Sequence, residues 1–138
     1  MSSALHFIPP VTPYQDLLQT FSDAVEAFNQ IPPDLKQLAA LFDDDVTLKK
    51  IGTPPYTYDG RTDVLNYLNT DVTRDQPNFE PIHPLEVFFH GNKAQIGGYA
   101  NWTDHDQGQE KKSKILYNFM FIRRRNRWLV LSLWAAPD

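Results

Sequence analysis

The chain has 138 residues, 41% hydrophobic and 13% aromatic, a balance that suits one packed domain and excludes a long disordered chain. Its formal net charge of −4 disfavours a general nucleic-acid binder. Having no cysteine, it can hold no disulfide, thiolate nucleophile or cysteine-bound zinc or iron–sulfur site, which is consistent with a reducing cytoplasm.

Residues 1–10 lack a basic start and a long apolar run, so no signal peptide is expected, and no stretch is long enough to span a bilayer. Pro9-Pro10 make residues 1–11 a loose arm. Thr12-Pro13-Tyr14-Gln15 has the chemistry of a helix start, with Thr12 as cap, proline at the first helical position and Gln15 completing a capping box. Leu17, Leu18, Phe21, Val25 and Phe28 then fall on one face at helical spacing, which predicts an amphipathic helix to about Asn29. Pro32-Pro33 ends it. Asp34 with Gln37 offers the cap of a short second helix carrying Leu35, Leu38, Leu41 and Phe42.

Acid at a helix C-terminus opposes the dipole, so Asp43-Asp44-Asp45 reads as a solvated turn. A strand over 46–51, a loop at Gly52-Thr53-Pro54-Pro55 and a short strand over 56–58 follow. Asp59-Gly60-Arg61 opens a third helix with apolar Val64, Leu65 and Leu68. Residues 70–79 read as a polar connection, and 80–89 as a strand broken near Pro84.

The remainder is a meander. A strand over 93–102 follows the turn His90-Gly91-Asn92, and 103–109 is a second turn. Strands over 115–122 and 128–135 flank a basic turn at 123–127. Gly97-Gly98 inside the first strand reads as a bulge or bend. Both faces of the last strands are largely apolar, so both must be covered. The helices cover one. The other, carrying Leu116, Met120, Ile122, Leu129, Leu131 and Leu133, predicts a homodimer packed through the outer sheet face. The plan is α+β, three N-terminal helices on a strongly curved, mostly antiparallel sheet, in one domain over 12–136.

The succession Leu38-Ala39-Ala40-Leu41-Phe42-Asp43-Asp44-Asp45-Val46-Thr47, then Tyr58-Asp59-Gly60-Arg61-Thr62-Asp63-Val64, then Arg127-Trp128-Leu129-Val130-Leu131, resembles the NTF2-like superfamily in its SnoaL-like branch. That branch includes ketosteroid isomerases, polyketide cyclases and limonene epoxide hydrolases. The resemblance covers residues 12–136, but its motifs are packing and turn motifs. It implies a cone-shaped cavity and cofactor-free lyase, isomerase or hydrolase chemistry on an apolar or aromatic carbonyl compound. A ligand-binding or dimerisation domain without chemistry is the alternative it leaves open.

The resemblance sets the isomerase base at Lys50, its tyrosine donor near Ala24 and its protonated aspartate donor near Tyr117, so this sequence departs from the isomerase pattern at all three. The strands also lack the aspartates that the epoxide-hydrolase pattern needs. On the same alignment Tyr117, Phe119, Val130, Ser132 and Trp134 face the cavity with Lys50 at its rim. Lys50 would bind a carboxylate or act as a base, or else simply reach solvent; Tyr117 would be an acid or hydrogen-bond donor, or a core tyrosine. Ser132 and His83 complete the candidate catalytic set, His83 being either a base or a structural histidine. Tyr56 and Tyr58 line the entrance or pack under the third helix. Asp104-His105-Asp106 lacks a second ligand cluster, so no metal is expected. Neither nucleic acid nor a membrane is an expected partner. The basic run from Lys111 to Arg127 reads as solvated strand ends or as inter-subunit pairs to Asp43, Asp44 and Asp45.

Overall fold

A computed structural model describes residues 13–51 and 55–138. The expected arm, the Thr12 cap and most of the loop at 52–55 lie outside the described residues. Helix α1 spans Pro13–Phe28 and α2 spans Leu35–Leu41, where the Asp34 side chain accepts the Gln37 N–H at 3.0 Å as the sequence suggests. Strand β1 covers Phe42–Lys50, β2 Tyr56–Asp59 and α3 Arg61–Tyr67. Gly60, at φ 90, supplies the left-handed residue that starts α3. Instead of a polar connection, α3 continues as a wider turn of helix over Leu68–Val72 and a short α4 at Thr73–Asp75. Buried Leu68 and Val72 carry the apolar stripe onward.

Strand β3 (Asn78–Pro81) and β4 (Glu86–His90) are the two pieces of the strand broken near Pro84. β5 (Lys93–Asp106), β6 (Gln109–Arg124) and β7 (Arg127–Pro137) form the meander. The second turn is shorter than expected: β5 runs through Asp106, and only Gln107 and Gly108, both at positive φ, make the reversal. Arg125 and Asn126 do the same between β6 and β7.

The sheet order is β2-β1-β7-β6-β5-β3, with β4 also on the free edge of β5. Only β1 and β7 run parallel. The core joins the helical stripe, Leu17, Phe21 and Ala24, to the inner row of the sheet, including Ile96, Tyr117, Phe121 and Val130. Phe21 sits centrally, with its ring centroid 5.2 Å from Phe119 and 6.0 Å from Tyr117.

Three expectations need correction. Gly97 and Gly98 pair with Asn118 and Tyr117 without a register shift, so the bulge is not there. It lies in β7: Phe121 faces Val130 while Met120 faces Ser132, leaving Leu131 as the extra residue. The Asp43-Asp44-Asp45 run is strand rather than solvated turn, and Asp43 is only 4% exposed. It accepts from Arg124 Nε at 2.6 Å and from the Asp45 N–H at 3.0 Å, while Asp44 pairs with Arg61 at 2.7 Å. Part of the basic run is therefore answered within the chain: Arg123 reaches Asp16, and Lys111 reaches Asp106.

Candidate functional site

Between the helices and the curled sheet lies an open cavity of about 690 Å³. Its walls are apolar: Phe28 and Val25 from α1, Phe79 from β3, Trp102 from β5, Phe119 from β6 and Leu133 from β7. Large side chains with alternating direction on curved strands stop short of the helices and leave the interior unfilled. At the mouth stand Lys50, Asp71, Arg74, Asp75 and Asp104. Arg74 pairs with Asp75 at 3.3 Å, and Asp104 accepts from Trp102 Nε1 at 3.0 Å. Lys50 makes no ion pair among the described residues.

Tyr117 lines this cavity and is 2% exposed, and its hydroxyl has no hydrogen-bond partner among the described residues. Burial pushes its phenol up to about 12, so it remains a protonated donor across the neutral range and cannot serve as a base there. Its ring is held by Phe21 and by the edge of Phe79 at 5.0 Å.

The β7 bulge sorts the other expected site residues. Lys50 lies beside Ala135 and opposite Tyr56 in the inner row, at the rim as expected. Phe119 lines the wall, whereas Val130 is fully buried in the core beneath it. Ser132, expected inside, faces outward in the row of Met120, because Leu131 reverses the alternation. Trp134 meets the cavity edge, yet its register beside Asn118 and Lys49 sets it in the same outer row. The reversal also carries Leu133, expected outside, to the cavity wall opposite Phe119. His83 is exposed in the link between β3 and β4 and does not line the cavity. Lys50 and Tyr117 therefore share a cavity that Ser132 and His83 do not reach.

Tyr56 lines the mouth, and Tyr58 stacks between Tyr56 at 6.3 Å and Tyr67 at 4.3 Å. Tyr67 was not singled out from the sequence, although its position three after Val64 sets it on the inner side of α3. Burial, with the neighbouring Tyr58 and the Asp71 charge, raises its phenol to about 12. Trp102 was missed as well; it continues the even-numbered inner row of β5, after Ala94, Ile96 and Ala100. Among the described residues no three His, Asp or Glu side chains gather as metal ligands would. No helix among them is long and apolar enough to cross a membrane.

No family model matches the chain, and no curated protein matches it. Solved structures do. An NTF2-like superfamily protein from Salmonella enterica superposes with a TM-score of 0.77 at 13% identity, over 90% of this chain and 89% of its own. A ketosteroid isomerase-like protein from Erwinia carotovora gives 0.73 at 15% identity, over 88% and 93%. The CaMKII hub of S. rosetta gives 0.74 at 10% identity, over 94% and 100%. Three helices laid into a curved mixed sheet, with these counterparts over most of their length, give the chain the NTF2-like, cystatin-like fold.

Proposed function

We propose that this chain is a SnoaL-like pocket protein that binds a small, largely apolar ring compound in its cone. The observation that carries the reading is the cavity itself, about 690 Å³ with walls of Phe28, Phe79, Trp102, Phe119 and Leu133. A concave apolar space of that size suits a small ring compound. Lys50 at the mouth answers an acidic group on the ligand. Tyr117 forms part of the wall, with its hydroxyl buried and unpartnered among the described residues. Of the residues expected to be catalytic, Lys50 and Tyr117 line this cone, whereas Ser132 faces the other side of the sheet and His83 lies in an exposed link. Neither Lys50 nor Tyr117 is a carboxylate or histidine base, which supports binding better than lyase, isomerase or hydrolase chemistry; a catalytic reading would have to draw its base from Asp71, Asp75 or Asp104 at the mouth.

The test is a thermal-shift series with naphthalene and naphthoic acid on the wild type, Leu133→Trp and Lys50→Ala. Both compounds should raise the melting temperature of the wild type, and Leu133→Trp, which narrows the cone, should reduce both shifts. Lys50→Ala should remove only the advantage of the acid. Equal shifts in the wild type and Leu133→Trp would put the binding elsewhere and end the reading.

We infer also that two copies pair through the outer row of the sheet. Leu116, Met120, Leu129 and Trp134 lie in that row, and Tyr99 beside them is 43% exposed. Such a stripe is larger than isolated surface apolar residues account for. One of the similar structures is named as a hub, which fits a fold that can assemble.

A further inference from the structure

The mouth of the cone carries charges of both signs. Asp71, Asp75, Asp104 and Asp138 line it, against Lys50, Arg74 and Lys114. Several of these are engaged: Arg74 pairs with Asp75, Asp104 accepts from Trp102 Nε1, and Lys114 lies over the Tyr99 ring at 4.5 Å. Lys50 and Asp71 both line the cavity, yet neither joins an ion pair among the described residues, with the other or with any third group. Asp138 is likewise without an ion pair there, but it stands on the β6 side, where its N–H donates to the Lys114 carbonyl at 3.2 Å. Between Lys50 and Asp71 runs a row of phenol rings. Lys50 faces Tyr56 across the β1–β2 ladder, Tyr56 stacks on Tyr58 at 6.3 Å, and Tyr58 stacks on Tyr67, the last residue of α3, at 4.3 Å. Asp71 follows four positions later in the wider helical turn, which returns it to the cavity side. Burial raises the phenols of Tyr58 and Tyr67, and the Asp71 charge adds to the effect, so both rings stay neutral at neutral pH.

We propose that Asp71 receives a protonated amine of the ligand, so that the ring compound in the cone carries a basic group beside the acidic one answered by Lys50, the charge class of an aromatic amino acid. The inference rests on the pocket reading above. A ligand bearing only an acid is attracted by Lys50 but repelled by Asp71, whereas one bearing both charges meets an opposite charge at each end of the tyrosine row. The electron-rich rings between them favour a cation as well. Asp71 is exposed, so water screens the attraction and the gain is modest.

Binding titrations at low salt with naphthalene, naphthylethanol and naphthylethylamine test this, since the last two differ only in replacing a neutral hydroxyl by a charged amine. The wild type should bind the amine roughly twofold to fivefold more tightly than the alcohol. Asp71→Asn should lose that preference and Asp138→Asn should keep it. Lys50→Ala should bind the amine more tightly than the wild type does, because a like charge has left the mouth. Amine and alcohol bound equally by the wild type would overturn the proposal while leaving the pocket intact. A preference that survives Asp71→Asn, or that Leu133→Trp leaves untouched, would place the amine elsewhere and overturn it too. Failure of all three compounds to bind would sink the pocket reading, and this inference with it.

Discussion

Arg124 at the end of β6 donates through Nε to the carboxylate of Asp43 at the start of β1, across 2.6 Å and 81 positions of sequence. Asp43 is 4% exposed, while the Arg124 side chain is half exposed. The pair ties the parallel β1 to the far end of the meander. Removing Arg124 leaves a buried carboxylate with the Asp45 N–H as its one remaining donor among the described residues. Arg124→Ala should therefore cost about 1 to 3 kcal/mol, near the lower figure because water reaches the exposed side of the guanidinium. Urea unfolding at neutral pH measures it, and a cost indistinguishable from zero would show the pair to be dispensable.

The same pair sets an acid dependence. Burial by itself would raise the Asp43 carboxyl, but the Asp45 N–H and the Arg124 guanidinium outweigh it and hold the group below its ordinary 3.8. A carboxyl depressed in the folded state contributes stability that is fully present above the unfolded value. That contribution is lost as pH falls through the lower folded value. The gap between wild type and Arg124→Ala should thus be widest at neutral pH and close on acidification below 3.8. Paired urea titrations across that range check it, and a gap that stays constant with pH would refute the assignment.

Much of this arrangement was legible in the sequence. The stripe from Leu17 to Phe28, the Asp34 cap, the break near Pro84 and the alternation of Tyr117, Phe119 and Phe121 all follow from local periodicity and turn chemistry. What misled was the last strand. Trp128 to Trp134 alternates so evenly that nothing in it announces an extra residue, yet Leu131 is bulged and every side chain after it changes face. Period-two reading assumes unbroken pairing, and a single bulge carries Ser132 out of the cone and Leu133 into it. Asp43 was misjudged for a related reason: its partner is supplied by a distant strand, which no local rule reveals.

Tyr117 gives a prediction at the alkaline end. Its phenol, raised by burial to about 12, favours the folded state only while it keeps its proton. Below the ordinary value of 10.0 both folded and unfolded chains are protonated, and stability is unaffected. Between 10.0 and about 12 the unfolded chain loses its proton first, so stability falls with rising pH. Tyr117→Phe should leave stability at neutral pH unchanged or slightly raised, because the hydroxyl it removes is buried without a partner among the described residues. It should also flatten the alkaline fall. An ultraviolet titration of tyrosinate should show one fewer late-ionising phenol in the variant.

The reversal at Leu131 makes Ser132 and Leu133 a matched pair of probes on opposite faces. Ser132→Ala should leave the thermal shift with naphthoic acid unchanged, because that side chain lies in the outer row opposite Met120. Leu133→Ala should enlarge the cavity and weaken binding, with a stability cost of about 2 kcal/mol, the low end for a partly buried leucine. The reverse ranking in a side-by-side binding titration would mean that β7 alternates without a bulge.

Met120 lies opposite Ser132 near the middle of the outer row, flanked by Gln95 on β5. If that row joins two copies, a charge there must be desolvated against its own image across the two-fold axis, which makes Met120→Lys doubly unfavourable. The wild type should sediment as a dimer at micromolar concentration and Met120→Lys as a monomer. The cone lies on the other face of the sheet, so naphthoic acid should still raise the melting temperature of the variant. A wild type that sediments as a monomer would remove the case for pairing through this face, and the partly exposed Leu116 and Trp134 would then need another cover.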